Sequence, residues 1–169
     1  MSNVRDFKDD LEDSLKKEND LKIKKCILER YPGAKVIQNL ANTNDSGIDY
    51  FVIMDNKTIN IDVKIRDIEN KYDDLALELW SVKEQGKVGW LEDTTKLTDV
   101  ILWIYQDGFT YFANFKELQK IFTIYKNEWI DDYFAPEQKT RYHGQIYTSQ
   151  CIMVPIDTIE QKLFEMALE

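Results

Sequence analysis

The chain has few of the residues that cross-link or punctuate a fold. Its 169 residues include two cysteines, three prolines, six glycines and one histidine. Cys26 and Cys151 lie far apart, with no Cys-x-x-Cys or Cys/His spacing. That excludes a zinc-binding module and a disulfide framework, and both read as buried thiols. The single histidine, His143, lies in the loop "RYHGQ" beside Arg141. No apolar run approaches the length of a membrane span, and "MSNVRDFKDD" has no signal-peptide pattern. The expectation is a cytoplasmic protein with no membrane partner. Basic charge is also scarce, with 22 Lys and Arg against 31 Asp and Glu, a net charge of −9. Such a surface repels nucleic acid at long range, which excludes a non-specific basic coat protein. It leaves room for clustered acids and for a local basic patch. No Gly-rich phosphate loop or nucleophile motif occurs.

The rest of the composition is that of an ordinary globular chain, 43% hydrophobic and 12% aromatic. Its length predicts one domain over 1–169. Residues 5–30 carry Phe7, Leu11, Leu15, Leu21, Ile23, Ile27 and Leu28 among charges, the spacing of an amphipathic helix. "YPG" at 31–33 stops it. "AKVIQNL" predicts a short strand and "ANTNDSG" a polar loop. Strands follow at 48–54 and 58–65, joined by "DNK", and at 75–82. Residues 83–98 read as irregular. "DVILWIYQ" and "FTYFAN" flank Asp107-Gly108, a two-residue hairpin signal. A helix is predicted from "NFKELQKIFTIYKNEWI", with Asn114 as N-cap, and "DDYFAPEQKTRYHGQ" reads as a loop. "YTSQCIMVP" is a strand, and "IDTIEQKLFEMALE" a closing helix with Asp157 as N-cap. The sum is an α/β (α+β) fold, a single mixed β-sheet flanked by α-helices.

One stretch breaks the strand pattern. In "TINIDVKIRD", Ile59, Ile61, Val63 and Ile65 alternate with Asn60, Asp62 and Lys64. Side chains alternate with period two, so Asp62 and Lys64 share one face. A charge in a strand core is costly unless it is paired, metal-bound or exposed. Asp49 opens the preceding strand, and a hairpin would leave it near Asp62 or Lys64. Two carboxylates and an ammonium would then meet. Asp49 and Asp62 offer hard oxygen ligands of the kind Mg²⁺ uses, and the carbonyl of Val63 offers another. A bound metal acidifies water and stabilises charge on a phosphate, and Lys64 suits the same task.

Asp49, followed by Asp62-Val63-Lys64 on the next strand, resembles the PD-(D/E)XK, or restriction-endonuclease-like, nuclease superfamily. "DDLEDSLKKE", "GIDY", "IDVKIRD", "LALELWS", "GWLED" and "LTDVILWIY", in that order, are similar to small phage-associated members. The likeness covers most of the chain up to about residue 113. The family core is helix, three-stranded meander, helix, strand. The resemblance implies that Asp49 and Asp62 hold Mg²⁺ or Mn²⁺ and that Lys64 assists the attacking water. Ile48 stands where the family's name has proline. The family's further acid on the first helix has three candidates, Glu12, Asp13 and Glu18, with Glu18 favoured.

Other residues carry two readings each. Glu78 is either a support for the metal site or a solvated strand position, and Asp99 reads as a strand-start residue. Trp80, Trp103 and Trp129 read as core anchors, whereas Trp90 in "GKVGWLED" is a candidate substrate contact. Lys16, Lys17, Lys22, Lys24 and Lys25 form a solvated helix face or a DNA-facing patch, with Lys17 and Arg66 as candidate contacts. His143 in "RYHGQ" is either a solvated loop histidine or a phosphate or base contact, since Arg141 and Tyr142 beside it suit phosphate contact and stacking.

Two functions follow. One is a Mg²⁺-dependent nuclease that cuts DNA through a metal-activated water, on duplex, branched or junction substrates. A junction-resolving enzyme would act as a homodimer, since two symmetric cuts need two sites. The other is a non-catalytic nuclease-fold protein, a phage factor whose acidic surface binds a host defence or replication protein.

Overall fold

The computed structural model describes residues 5–6, 17–40, 46–66 and 73–168, with the side chains of residues 5, 6, 17, 18 and 142 set aside. The described chain is a mixed α+β fold of two five-stranded sheets and three α-helices. Its residues group into two compact units. The first comprises Leu15–Tyr72 and Thr95–Lys116, the second Met1–Ser14, Asp73–Thr94 and Glu117–Glu169. One sheet belongs to each, where the sequence pattern predicts a single sheet.

The first unit begins with α1 (Lys17–Arg30). Ile23 and Ile27, one turn apart, are buried, and Asp20–Lys24 at 2.8 Å supports the same turns as an i,i+4 pair. The helix ends before Pro32, where Gly33 adopts φ 79°. Strands β2 (Lys35–Gln38), β3 (Tyr50–Met54) and β4 (Lys57–Arg66) then form an antiparallel meander. The β3–β4 turn is Asp55-Asn56, and Asp55 takes the positive φ that tight hairpins need. Two later strands complete this sheet in the order β2-β3-β4-β7-β8. They are β7 (Val100–Tyr105) and β8 (Thr110–Asn114). Strand β7 runs parallel to β4, so the chain between them must cross over rather than turn. The β7–β8 connection is wider than the predicted two-residue hairpin. The N–H of Gly108 donates to the Tyr105 carbonyl at 3.0 Å, with Gly108 at φ 88°. Ile23, Ile27, Tyr50, Val52, Ile59, Ile61, Leu102 and Ile104 form one buried cluster. Burying each side chain of this kind contributes about 1.5–3 kcal/mol.

The second unit holds β1 (Arg5–Asp6), β5 (Asp74–Val82), β6 (Lys87–Val88), β9 (Glu137–Tyr142) and β10 (Gln145–Pro155), in the order β1-β9-β10-β5-β6. In β5, Leu75, Leu77 and Leu79 are buried and the residues between them are half-buried, the period-two pattern expected. Strand β9 occupies the stretch read as a loop. Its sequence, EQKTRY, has no apolar alternation because the strand buries little. It turns into β10 at His143-Gly144, both at positive φ. Helix α2 (Phe115–Asp132) begins at the boundary of the units, and α3 (Ile156–Ala167) follows β10. Pro155, not Asp157, occupies the N-cap of α3, and no side chain caps it. Asp157 sits in the first turn, where its charge complements the helix dipole.

Charge is divided unevenly between the units. The first has 13 Lys and Arg against 11 Asp and Glu, a net of +2. The second has 9 against 20, a net of −11.

Candidate metal centre

The site is built at the start of β3 and the middle of β4. Tyr50 and Ile61 pair across these strands and both belong to the buried cluster. Alternation therefore turns Asp62 and Lys64 to the opposite face. Asp62 is 7% exposed, and Lys64 Nζ lies 2.9 Å from its Oδ2. The buried acid is thus paired, which is what its burial requires.

Asp49 joins them through the backbone. Its N–H donates to the Ile61 carbonyl at 2.8 Å, and its Oδ2 accepts the Val63 N–H at 2.8 Å. These two bonds flank Asp62 on β4 and bring Asp49 near enough for the charge of Asp62 to act on it. Enclosure of the carboxyl among protein atoms is the largest cause that pushes Asp49 up to about 6, and the charge of Asp62 is next. The Val63 N–H and Lys64 oppose the shift. Asp49 is nonetheless an exposed residue by its surface, so solvent screening limits the energetic weight of this shift.

Two adjacent carboxylates share one ammonium, and Asp49 keeps its proton into the weakly acidic range. A divalent cation would relieve both conditions by taking the proton's place. The donor set fits Mg²⁺, which commonly uses one or two protein carboxylates and retains water. Among the described residues, no group of three or more His, Cys, Asp or Glu is gathered for a metal. The fit is therefore to a partly hydrated ion rather than to a closed protein cage.

The structure brings Asp49, Asp62 and Lys64 together, and Arg66 follows two residues on along the same face of β4. It is the N–H of Val63 that meets Asp49. Glu12 and Asp13 lie outside the described residues, as do the side chains of Lys17, Glu18 and Tyr142. Among the described residues, an acid of the first helix that reaches the sheet is Asp20, whose Oδ1 accepts the Tyr50 hydroxyl at 3.0 Å. Tyr50 is on the core face, and its hydroxyl also feels the charge of Asp49.

Several other candidates have neighbours of their own. Glu78 belongs to the second unit, where its Oε2 accepts the Ser81 hydroxyl at 2.6 Å and the Trp90 N–H at 3.3 Å. Trp90 is half-buried there, beside Gly89, where a Cβ would lie 1.8 Å from the Glu78 carbonyl oxygen. Close backbone approach thus explains Gly89, while Gly86 of the same loop takes a positive φ of 65°. Arg141 is an exposed residue of β9 in the same unit, and His143 a turn residue. Asp99 clamps strands of the first unit. Its Oδ2 accepts the Asn60 N–H at 2.8 Å, and its carbonyl accepts the Phe115 N–H at 2.9 Å. Trp103 and Trp129 are buried, at 0% and 1% exposure, whereas Trp80 is half-buried.

Two residues escaped the sequence reading, Asn39 and Thr98. Both donate to the backbone that leads into Asp49. Neither has a charge or a motif to mark it. No family model, no curated protein and no solved structure matches the chain.

Proposed function

We propose that the first unit houses a metal-assisted phosphodiester hydrolase centre of the PD-(D/E)XK kind. The particular reading is a Mg²⁺-dependent nuclease acting on DNA. The observation that carries it is the meeting of Asp49, Asp62 and Lys64 on one face of the sheet. The order α1, β2-β3-β4 meander, then β7 parallel to β4 supports it, since the family core is helix, meander, helix, strand. The helix before the last strand has no α-helical counterpart among the described residues between Arg66 and Val100. The net charge of +2 on this unit also supports it, because the acidity of the chain resides in the other unit.

In this reading Asp49 and Asp62 hold Mg²⁺ or Mn²⁺, with the carbonyl of Val63 as a further oxygen donor. When bound, the cation supplies Lewis acidity and makes water a stronger nucleophile at neutral pH. Asp62 keeps the Lys64 ammonium fixed on the same face. Lys64 then orients the attacking water and neutralises charge that develops on the phosphate. Arg66 gives the same strand a phosphate contact of planar, forked geometry. The proposed step is direct attack by that water, with no covalent intermediate.

The test is incubation of the full chain with supercoiled, linear and four-way-junction DNA plus Mg²⁺ or Mn²⁺. Cleavage that Asp62→Ala abolishes is the expected result. No cleavage of any substrate, together with no metal binding by calorimetry, would sink the proposal.

The −11 charge of the second unit favours one other reading, a nuclease-fold protein that docks on a basic partner. Biological activity that survives Asp62→Ala with Lys64→Ala would favour it over the nuclease.

A further inference from the structure

Three consecutive carbonyls lead into Asp49, and each is taken by a donor from the same unit. The Thr98 hydroxyl donates to the Gly47 carbonyl. Asn39 Nδ2 donates to the Ile48 carbonyl at 2.9 Å. The main-chain N–H of Asn39 donates to the Asp49 carbonyl at 2.7 Å. Asp49 itself is then bonded to both neighbours of Asp62 on β4, as described above. A surface loop normally leaves many such groups to water. Here a threonine only 2% exposed serves one of them.

Gly47 allows the close approach. It adopts φ 68°, and a Cβ at that position would lie 2.8 Å from Thr98 Oγ1 and 2.9 Å from Lys96 Cδ. The approach of residues 47–49 to residues 96–98 is therefore tight, and the Leu97 N–H extends it by donating to the Ser46 carbonyl at 2.9 Å.

A force is needed to keep Asp49 where it is. The charge of Asp62 acts on Asp49, so the two carboxylates repel when both are ionised. Left to itself, the open end of β3 would relieve this by splaying from β4. Such an arrangement persists when the surrounding structure over-determines it.

We infer that Thr98 and Asn39 are positioning residues that hold Asp49 against Asp62 before any ligand arrives. They touch no reacting atom. They act on the backbone at residues 47–49, and through it on the direction of one carboxylate. The inference deepens the proposed metal centre and rests on that reading for its purpose, though not for its geometry.

The Val63 amide reports the geometry directly, because its hydrogen bond goes to Asp49 Oδ2. Hydrogen exchange is measured on the metal-free full chain, for wild type, Thr98→Val, Thr98→Ser and Asn39→Ala. Thr98→Val keeps the shape and removes the donor, whereas Thr98→Ser restores it. Exchange at Val63 is expected to quicken about tenfold in Thr98→Val and Asn39→Ala, the effect of losing one ordinary hydrogen bond. The Val52 and Leu102 amides should not change, and Thr98→Ser should match wild type. Mn²⁺ affinity should fall by a similar factor in the same two variants. If Thr98→Val does not fold, Asn39→Ala reads the clamp from its other side. Unchanged protection at Val63, or a loss spread evenly over the sheet, would overturn the inference. Wild-type protein that binds no Mn²⁺ would overturn the metal reading instead, and the exchange at Val63 would still decide the positioning.

Discussion

Asp49 Oδ2 accepts the N–H of Val63, the residue between Asp62 and Lys64, at 2.8 Å. That bond ties the end of one strand to the charged centre of the next. It turns an ion pair on β4 into a three-residue site, and the following expectations depend on it.

The acids and the lysine should separate by function. In the proposed centre, Asp62→Asn removes the charge of a metal oxygen donor and should abolish both Mn²⁺ binding and cleavage. Lys64→Met keeps both carboxylates, so metal binding should survive. Cleavage should fall about 10²–10³-fold, as when an electrostatic stabiliser of a transition state is removed. Calorimetry and a plasmid-nicking assay on the same preparations read the two effects.

The pH dependence has a definite sign. The folded state raises the Asp49 carboxyl to about 6, first by enclosure and then through Asp62. The folded protein therefore binds this proton more tightly than the unfolded chain. The stabilising effect is complete below the unfolded value of about 4 and is lost as pH rises through about 6. A cation competes with that proton, so Mn²⁺ affinity should rise with pH up to this range and then level. Calorimetry at about pH 5, 6 and 7.5 checks it. In Asp62→Asn the Asp49 carboxyl should titrate lower, which carboxyl NMR reads.

The face pattern of this site was legible from alternation alone. Ile59, Ile61 and Val63 pack with the core while Asp62 and Lys64 turn away, because a strand has no freedom to do otherwise. The division into two sheets was not legible. Strand β4 pairs with β7 in parallel, across more than thirty residues of sequence, and no local pattern encodes a non-local partner. Strand β9 was hidden for another reason. Glu137–Tyr142 lacks the apolar alternation by which a half-buried strand is recognised. Asn39 and Thr98 were silent because a neutral side chain that bonds to backbone has no signature apart from its geometry.

Gly47→Ala should destabilise the chain by about 1–3 kcal/mol, the cost of a strained positive φ. The added methyl also meets Thr98 Oγ1 and Lys96 Cδ. Gly89→Ala should be worse, because its Cβ would overlap the Glu78 carbonyl, which is backbone and cannot swing aside. Thermal melts compare the two, and Mn²⁺ binding should suffer specifically in Gly47→Ala.

Tyr50→Phe provides a contrast next to the site. Its buried hydroxyl donates to Asp20 at 3.0 Å, and burial followed by Asp20 raises its pKa. Removing it should cost about 1 kcal/mol of stability. Mn²⁺ affinity should change far less than in Asp62→Asn, since Tyr50 faces the core and Asp20 retains Lys24. Chemical denaturation and calorimetry test the two halves of this statement.

The most direct measurement is an anomalous-scattering map from crystals of the full chain soaked in Mn²⁺. A peak between the Asp49 and Asp62 carboxylates, beside Lys64 and absent from Asp62→Asn crystals, is the result expected. No peak there at saturating Mn²⁺, or a wild-type-like peak in Asp62→Asn, would contradict the assignment of this carboxylate pair as a metal centre.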